Sequence, residues 1–120
     1  MIGRVDVADR ALIDLEIRAP GSMSFRKFTA WIDTAFTGDL VLPRSMIELL
    51  GLPQSSSISA GLADGKQVVL ETFSCVVDWF GEARQIEAVE SESKLALLGT
   101  GLLRGHKLEI DYVKQTLSVN

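Results

Sequence analysis

Ala30-Trp31-Ile32-Asp33-Thr34-Ala35-Phe36-Thr37-Gly38 is the stretch on which the reading of this chain turns. Phe28, Ala30 and Ile32 alternate with more polar neighbours, the pattern of a half-buried strand. The strand runs into an aspartate and stops. Small and turn-forming residues follow, and the chain resumes apolar as Leu40-Val41-Leu42-Pro43. A carboxylate at the end of a buried strand is costly unless something pairs it or uses it. The bland account is that Asp33 is a turn former that hydrogen-bonds its own backbone. The rest of the chain has to choose between the two.

Upstream, Ile13, Leu15 and Ile17 alternate with Asp14, Glu16 and Arg18, a clean strand. With Pro20-Gly21-Ser22 as a turn, it forms a hairpin leading into Asp33. Residues 1–10 are mixed and charged, without clear period. Downstream, Pro43 to Leu50 reads as a short helix with Met46, Leu49 and Leu50 on its apolar side and Gly51 as its stop. Ile58 to Leu62 and Gln67 to Leu70 flank Ala63-Asp64-Gly65-Lys66, and Asp-Gly between strand-like runs signals a hairpin. Further strands are expected from Val69 to Trp79, from Arg84 to Val89 and from Leu95 to Leu98. Leu108, Ile110 and Tyr112 alternate, and Thr116–Val119 can pair back on them. Many short strands with regular turns and one or two short helices predict a mainly β, closed or sandwiched sheet.

At 120 residues the chain is expected to be one domain, 1–120. It is 47% apolar and 23% charged, as in ordinary globular proteins. A net charge of −4 gives no basic footprint for nucleic acid. One cysteine and one histidine cannot build a Cys/His zinc centre or an internal disulfide, so no metal is expected. Neither a signal peptide nor a membrane-spanning run is seen, and a soluble, cytoplasmic domain without membrane contact is the expectation. His106, beside a turn, reads as a surface residue. Cys75 falls on the apolar face of its strand and reads as an inert core thiol. No Gly-x-Ser-x-Gly elbow and no phosphate loop are present.

Asp33-Thr34-Ala35 at a strand end resembles the Asp-Thr/Ser-Gly signature of aspartic proteases. Three further features fall in the order which that fold requires. A glycine-centred hairpin at Ala63-Asp64-Gly65 lies where the family has its flap. Leu97-Leu98 followed by Gly99 lies where it has an apolar-apolar-Gly element. A helical turn at Leu102-Leu103-Arg104 comes next. The chain thus resembles the retropepsin-like, single-lobe aspartic proteases of the bacterial or cellular kind. The fold this implies is a closed, barrel-like acid-protease lobe with a flap hairpin and one or two short helices.

The resemblance also assigns roles. One signature per chain implies a homodimer, with Asp33 of each copy forming the catalytic dyad that activates water for peptide hydrolysis, without a cofactor. Thr34 would lock the two active loops together, and Ala35 occupies the signature's glycine position. Leu98 and Gly99 would support the loop from below. Phe36 would face the cleft, and Leu62, Ala63, Asp64, Gly65 and Lys66 would close over a peptide or protein substrate. Thr116–Asn120 would add to the dimer, as terminal strands do in retroviral enzymes. Where retroviral enzymes carry substrate-anchoring acids after the signature, this chain has Thr37 and Gly38. A weakly active or inactive protease-like dimer that binds peptides or serves assembly is the alternative, and an unrelated small β-barrel binding protein a third.

Overall fold

A computed structural model describes residues 1–61 and 63–120. In chain order the elements are β1 (Ile2–Val5), β2 (Ala11–Arg18), β3 (Arg26–Ile32), β4 (Leu40–Pro43), α1 (Arg44–Leu50) and β5 (Gln54–Gly61). They continue with β6 (Gln67–Trp79), β7 (Glu82–Ser91), β8 (Ala96–Leu98), α2 (Thr100–Leu103), β9 (Leu108–Asp111) and β10 (Thr116–Val119).

The sheet runs β5-β6-β7-β4-β8-β3-β2-β1-β10-β9, and an extra pairing of β6 with β2 bends its middle into a closed ring of six strands. Closure is made by Ile17 opposite Val77 and Arg18 opposite Val76. A closed ring removes the free edges that an open sheet leaves unpaired. The alternation in β2 explains its place. Ile13, Leu15 and Ile17 are buried in the ring while Asp14 faces out. Asp14 sits opposite Thr29, whose hydroxyl donates to it at 2.7 Å. That bond, ahead of the nearby Arg4, holds the Asp14 carboxyl below its ordinary range. The same inward set continues through Ala30, Leu40, Cys75, Val77, Ala88 and Leu98, all fully buried. Cys75 is a core thiol as expected, and burial pushes its pKa up to about 12.

Several expectations need correction. Residues 1–10 hold a strand: β1 pairs with β2 and β10, although only Val5 of it is buried. With so little apolar signal, its pairing comes from neighbours distant in sequence. The second is Tyr112, which lies beyond β9 and is exposed. Third, His106 is not a free surface histidine. Its ring stacks on Phe80 at 4.6 Å, and its Nε2 accepts the Trp79 indole N–H at 3.3 Å. Last, Thr116–Asn120 does not offer a free edge to a second copy. β10 lies between β1 and β9 of its own chain, so both of its ladders are filled.

The helix begins one residue later than Pro43, which ends β4 and stands at the N-cap with φ −57°, and the residue it buries is Ile47, whereas Leu49 is exposed. The proline ring fixes φ near the helical value and its missing N–H leaves no orphan donor. No helix among the described residues is long and apolar enough to cross a membrane.

Candidate active site

β3 delivers Asp33 and β8 fixes it. The two strands are parallel, with Ile32 beside Leu98. One residue on, the Asp33 N–H donates to the Leu98 carbonyl at 2.9 Å. The chain then turns tightly, with the Phe36 N–H donating to the Asp33 carbonyl at 3.2 Å. The carboxylate is half-buried, and its Oδ1 accepts the Ala35 N–H at 3.0 Å. That bond is what a turn-forming aspartate makes. It also orients the carboxylate and occupies one oxygen only.

The loop from Asp33 to Asp39 is laced to the segment after β8. The Gly99 N–H donates to Asp39 O at 3.0 Å, Thr100 N–H to Phe36 O at 2.8 Å, and Gly101 N–H to Gly38 O at 2.9 Å. The Thr100 hydroxyl adds a bond to Phe36 O at 3.3 Å. These N–H groups belong to the start of α2 and its cap, where a helix has donors without intrahelical partners. The short helix therefore supports the loop through its own unsatisfied end. Gly99 has to be a glycine here: a Cβ would lie 2.2 Å from Gly38 O and 2.7 Å from Phe36 O. Leu98 and Gly99 thus both contact the Asp33–Asp39 loop.

Ala35 keeps a negative φ and is exposed. Its φ therefore makes no demand for glycine at this position. Thr34 is exposed beside it. Phe36 is half-buried and lines a groove of about 630 Å³ with Val41, Val69, Leu70, Glu71 and Val89. Phe36 is the loop's contribution to that groove; β4, β6 and β7 supply the rest of its walls, together with the charged Arg44, Glu90 and Glu92.

β5 and β6 form a long hairpin, paired from Gln54 opposite Phe73 to Gly61 opposite Gln67. Only the Thr72–Trp79 part of β6 also pairs with β7. The end from Gln67 to Glu71 therefore projects as a two-stranded arm. Asp64 Oδ1 accepts the Lys66 N–H at 3.0 Å and Gly65 takes φ +87°, a value that favours glycine. Ala63, Asp64, Gly65 and Lys66 are exposed at the arm's tip, and Leu62 lies outside the described residues. At the arm's base, Thr72 is buried and hydrogen-bonded with Ser55 at 3.0 Å and Ser56 at 2.9 Å. The structure joins Phe36 with the root of the arm rather than its tip.

Comparison with solved structures is informative. Over its whole length the chain superposes on 89% of a retropepsin-like aspartic protease from Rickettsia conorii, at TM-score 0.65 and 19% identity. The fold is that of a retropepsin-like protease. An EIAV protease, solved with the inhibitor HBY-793, matches 82% of the chain and 89% of its own at TM-score 0.63 and 14% identity. The simian foamy virus (mac) protease matches 76% of the chain and 91% of its own at TM-score 0.53 and 16% identity. No protein-family model and no curated protein matches the sequence. In this retropepsin-like lobe, Asp33 stands at the end of a central strand, and Phe36 of its loop shares a groove with the root of the hairpin arm.

Sequence reading missed Thr100 and Trp31. Thr100 had a signal, a hydroxyl next to Gly99 at a helix start, where such side chains commonly bond backbone. Trp31 had one too. It lies two residues before Asp33, so both side chains leave the same face of the strand.

Proposed function

We propose that two copies of this chain form an aspartic endopeptidase. The observation that carries the reading is the Asp33 carboxylate itself. It is oriented through one oxygen by Ala35 N–H, on a loop braced by four main-chain hydrogen bonds to Leu98–Gly101, and Phe36 of the same loop lines a groove of mixed apolar and charged walls. A loop braced so closely holds a reacting group in place without reorganisation. One chain supplies one such carboxylate, and a second copy about a two-fold axis would supply the other.

Two carboxylates held face to face cannot both ionise, and they share a proton, as aspartic-protease dyads do. The ionised one draws a proton from water as that water attacks the peptide carbonyl. The protonated one gives its proton to the carbonyl oxygen, and a tetrahedral diol results. Collapse of the diol, with a proton passed to the leaving amine, breaks the C–N bond. Phe36 and the β6 root would contact substrate side chains, and the arm's tip at Ala63–Lys66 would cover the site.

Cleavage of an unfolded protein substrate tests the reading. It should be lost in Asp33→Asn and blocked by a statine-type mimic of the diol. Cleavage that survives the substitution would overturn it. The second reading, a dimer that binds peptides without turnover, is favoured by Ala35 at the signature's glycine position. It predicts peptide binding that tolerates Asp33→Asn, with no hydrolysis by the native chain.

A further inference from the structure

Arg10 is the one arginine of the chain that is both held from behind by a carboxylate and laid over an exposed aromatic ring, among the described residues. Asp6 Oδ2 accepts from its Nε at 2.8 Å and pairs with its Nη2 at 2.7 Å. Asp6 Oδ1 meanwhile accepts the backbone N–H groups of Arg10 at 2.9 Å and Ala8 at 3.0 Å. The Arg10 side chain, the largest influence, holds the Asp6 carboxyl below its ordinary range. The guanidinium carbon stands 5.8 Å from the centre of the Trp31 ring.

Placement gives this arrangement its interest. Trp31 is 40% exposed and shares a strand face with Asp33. It sits in register between Leu12 on one side and Leu97 on the other, so an apolar strip crosses the sheet through Trp31, two residues from Asp33, with Arg10 over it. The Arg10 side chain remains 41% exposed. Its Nε and Nη2 edge is committed to Asp6, and Nη1 makes no hydrogen bond among the described residues. A guanidinium fixed by a carboxylate on one edge and an aromatic ring below is pre-organised to take a second carboxylate on its open edge.

We propose that Arg10, braced by Asp6 and Trp31, selects peptide substrates carrying an acidic side chain at the subsite next to Asp33. The proposal rests on the peptidase reading of that site, and binding tests it apart from cleavage. Octapeptide mixtures with Glu or Gln fixed at each position in turn are titrated against the Asp33→Asn chain by fluorescence anisotropy. At one position the Glu mixture should bind about fivefold tighter than its Gln counterpart, the scale of a partly exposed ion pair. That ratio should fall toward one in added salt, in the otherwise unaltered chain. It should collapse to one in Arg10→Gln and be partly kept in Arg10→Lys. A ratio of one at every position overturns the proposal. So does a preference that resists salt or survives Arg10→Gln. If the acidic preference appears and the native chain cleaves nothing, the peptidase reading fails while the specificity assignment stands.

Discussion

Ala35 is where residue-scale chemistry makes an unexpected demand. Because its φ is negative, replacing it by glycine restores the signature but relieves no backbone strain. Glycine gains more freedom in the unfolded chain, so Ala35→Gly should lower stability by about 0.5–1 kcal/mol in urea titrations. A rise in stability would mean the methyl is crowded. Asp33→Asn keeps the shape and removes the ionisable group. It should cut peptide hydrolysis by on the order of a thousandfold, the scale of a lost general acid–base group, with an unchanged far-UV spectrum. Cys75 yields a pH prediction. Its folded pKa of about 12 lies above that of an exposed thiol, so the folded state keeps its proton longer. Its contribution is present at neutral pH and is lost as pH rises past about 9, where the unfolded thiol ionises first. Native chain should therefore lose about 1 kcal/mol more than Cys75→Ala between pH 8 and pH 10.

Elements show what a sequence can and cannot announce. β2 was legible because its ring-facing residues alternate with charged ones, a pattern complete within eight residues. The β5–β6 hairpin was legible because Asp64-Gly65 specifies its own turn. β1 was not, because Ile2, Gly3 and Arg4 take one of their partners from Ser118, Leu117 and Thr116 at the other end of the chain. His106 was misread for the same reason, since Trp79 lies 27 residues away. In the candidate site, Asp33, Leu98 and Gly99 carried a recognisable pattern, whereas the brace by Thr100 and the approach of Arg10 to Trp31 are products of folding. Gly99→Ala tests the brace directly. Its methyl would strike the Gly38 carbonyl, backbone that cannot step aside. A loss of about 3 kcal/mol, read by thermal or urea unfolding, is expected.

At the scale of the molecule, the filled ladders of β10 mean that a dimer has to use other surface than a terminal-strand edge. The shared-dyad reading still requires that dimer. Mixing equal amounts of native and Asp33→Asn chains and letting subunits exchange should reduce the activity of the native chains to about half, because half of them then sit in mixed pairs. Activity unaffected by the mixture would sink the shared dyad. Dilution should also lower specific activity as pairs dissociate.

The brace between the active loop and Leu98–Gly101 has a bearing on timing. Ile32 and Leu98 are neighbours in space, yet the arm and β7 are built from the chain between them. Contacts that bridge so many residues form late, because a long loop has to be closed before they return any energy. During synthesis Asp33 emerges before β8, whose Leu98 carbonyl takes its backbone N–H. A catalytic role for Asp33 would therefore be withheld from the unfinished polypeptide until the brace can form.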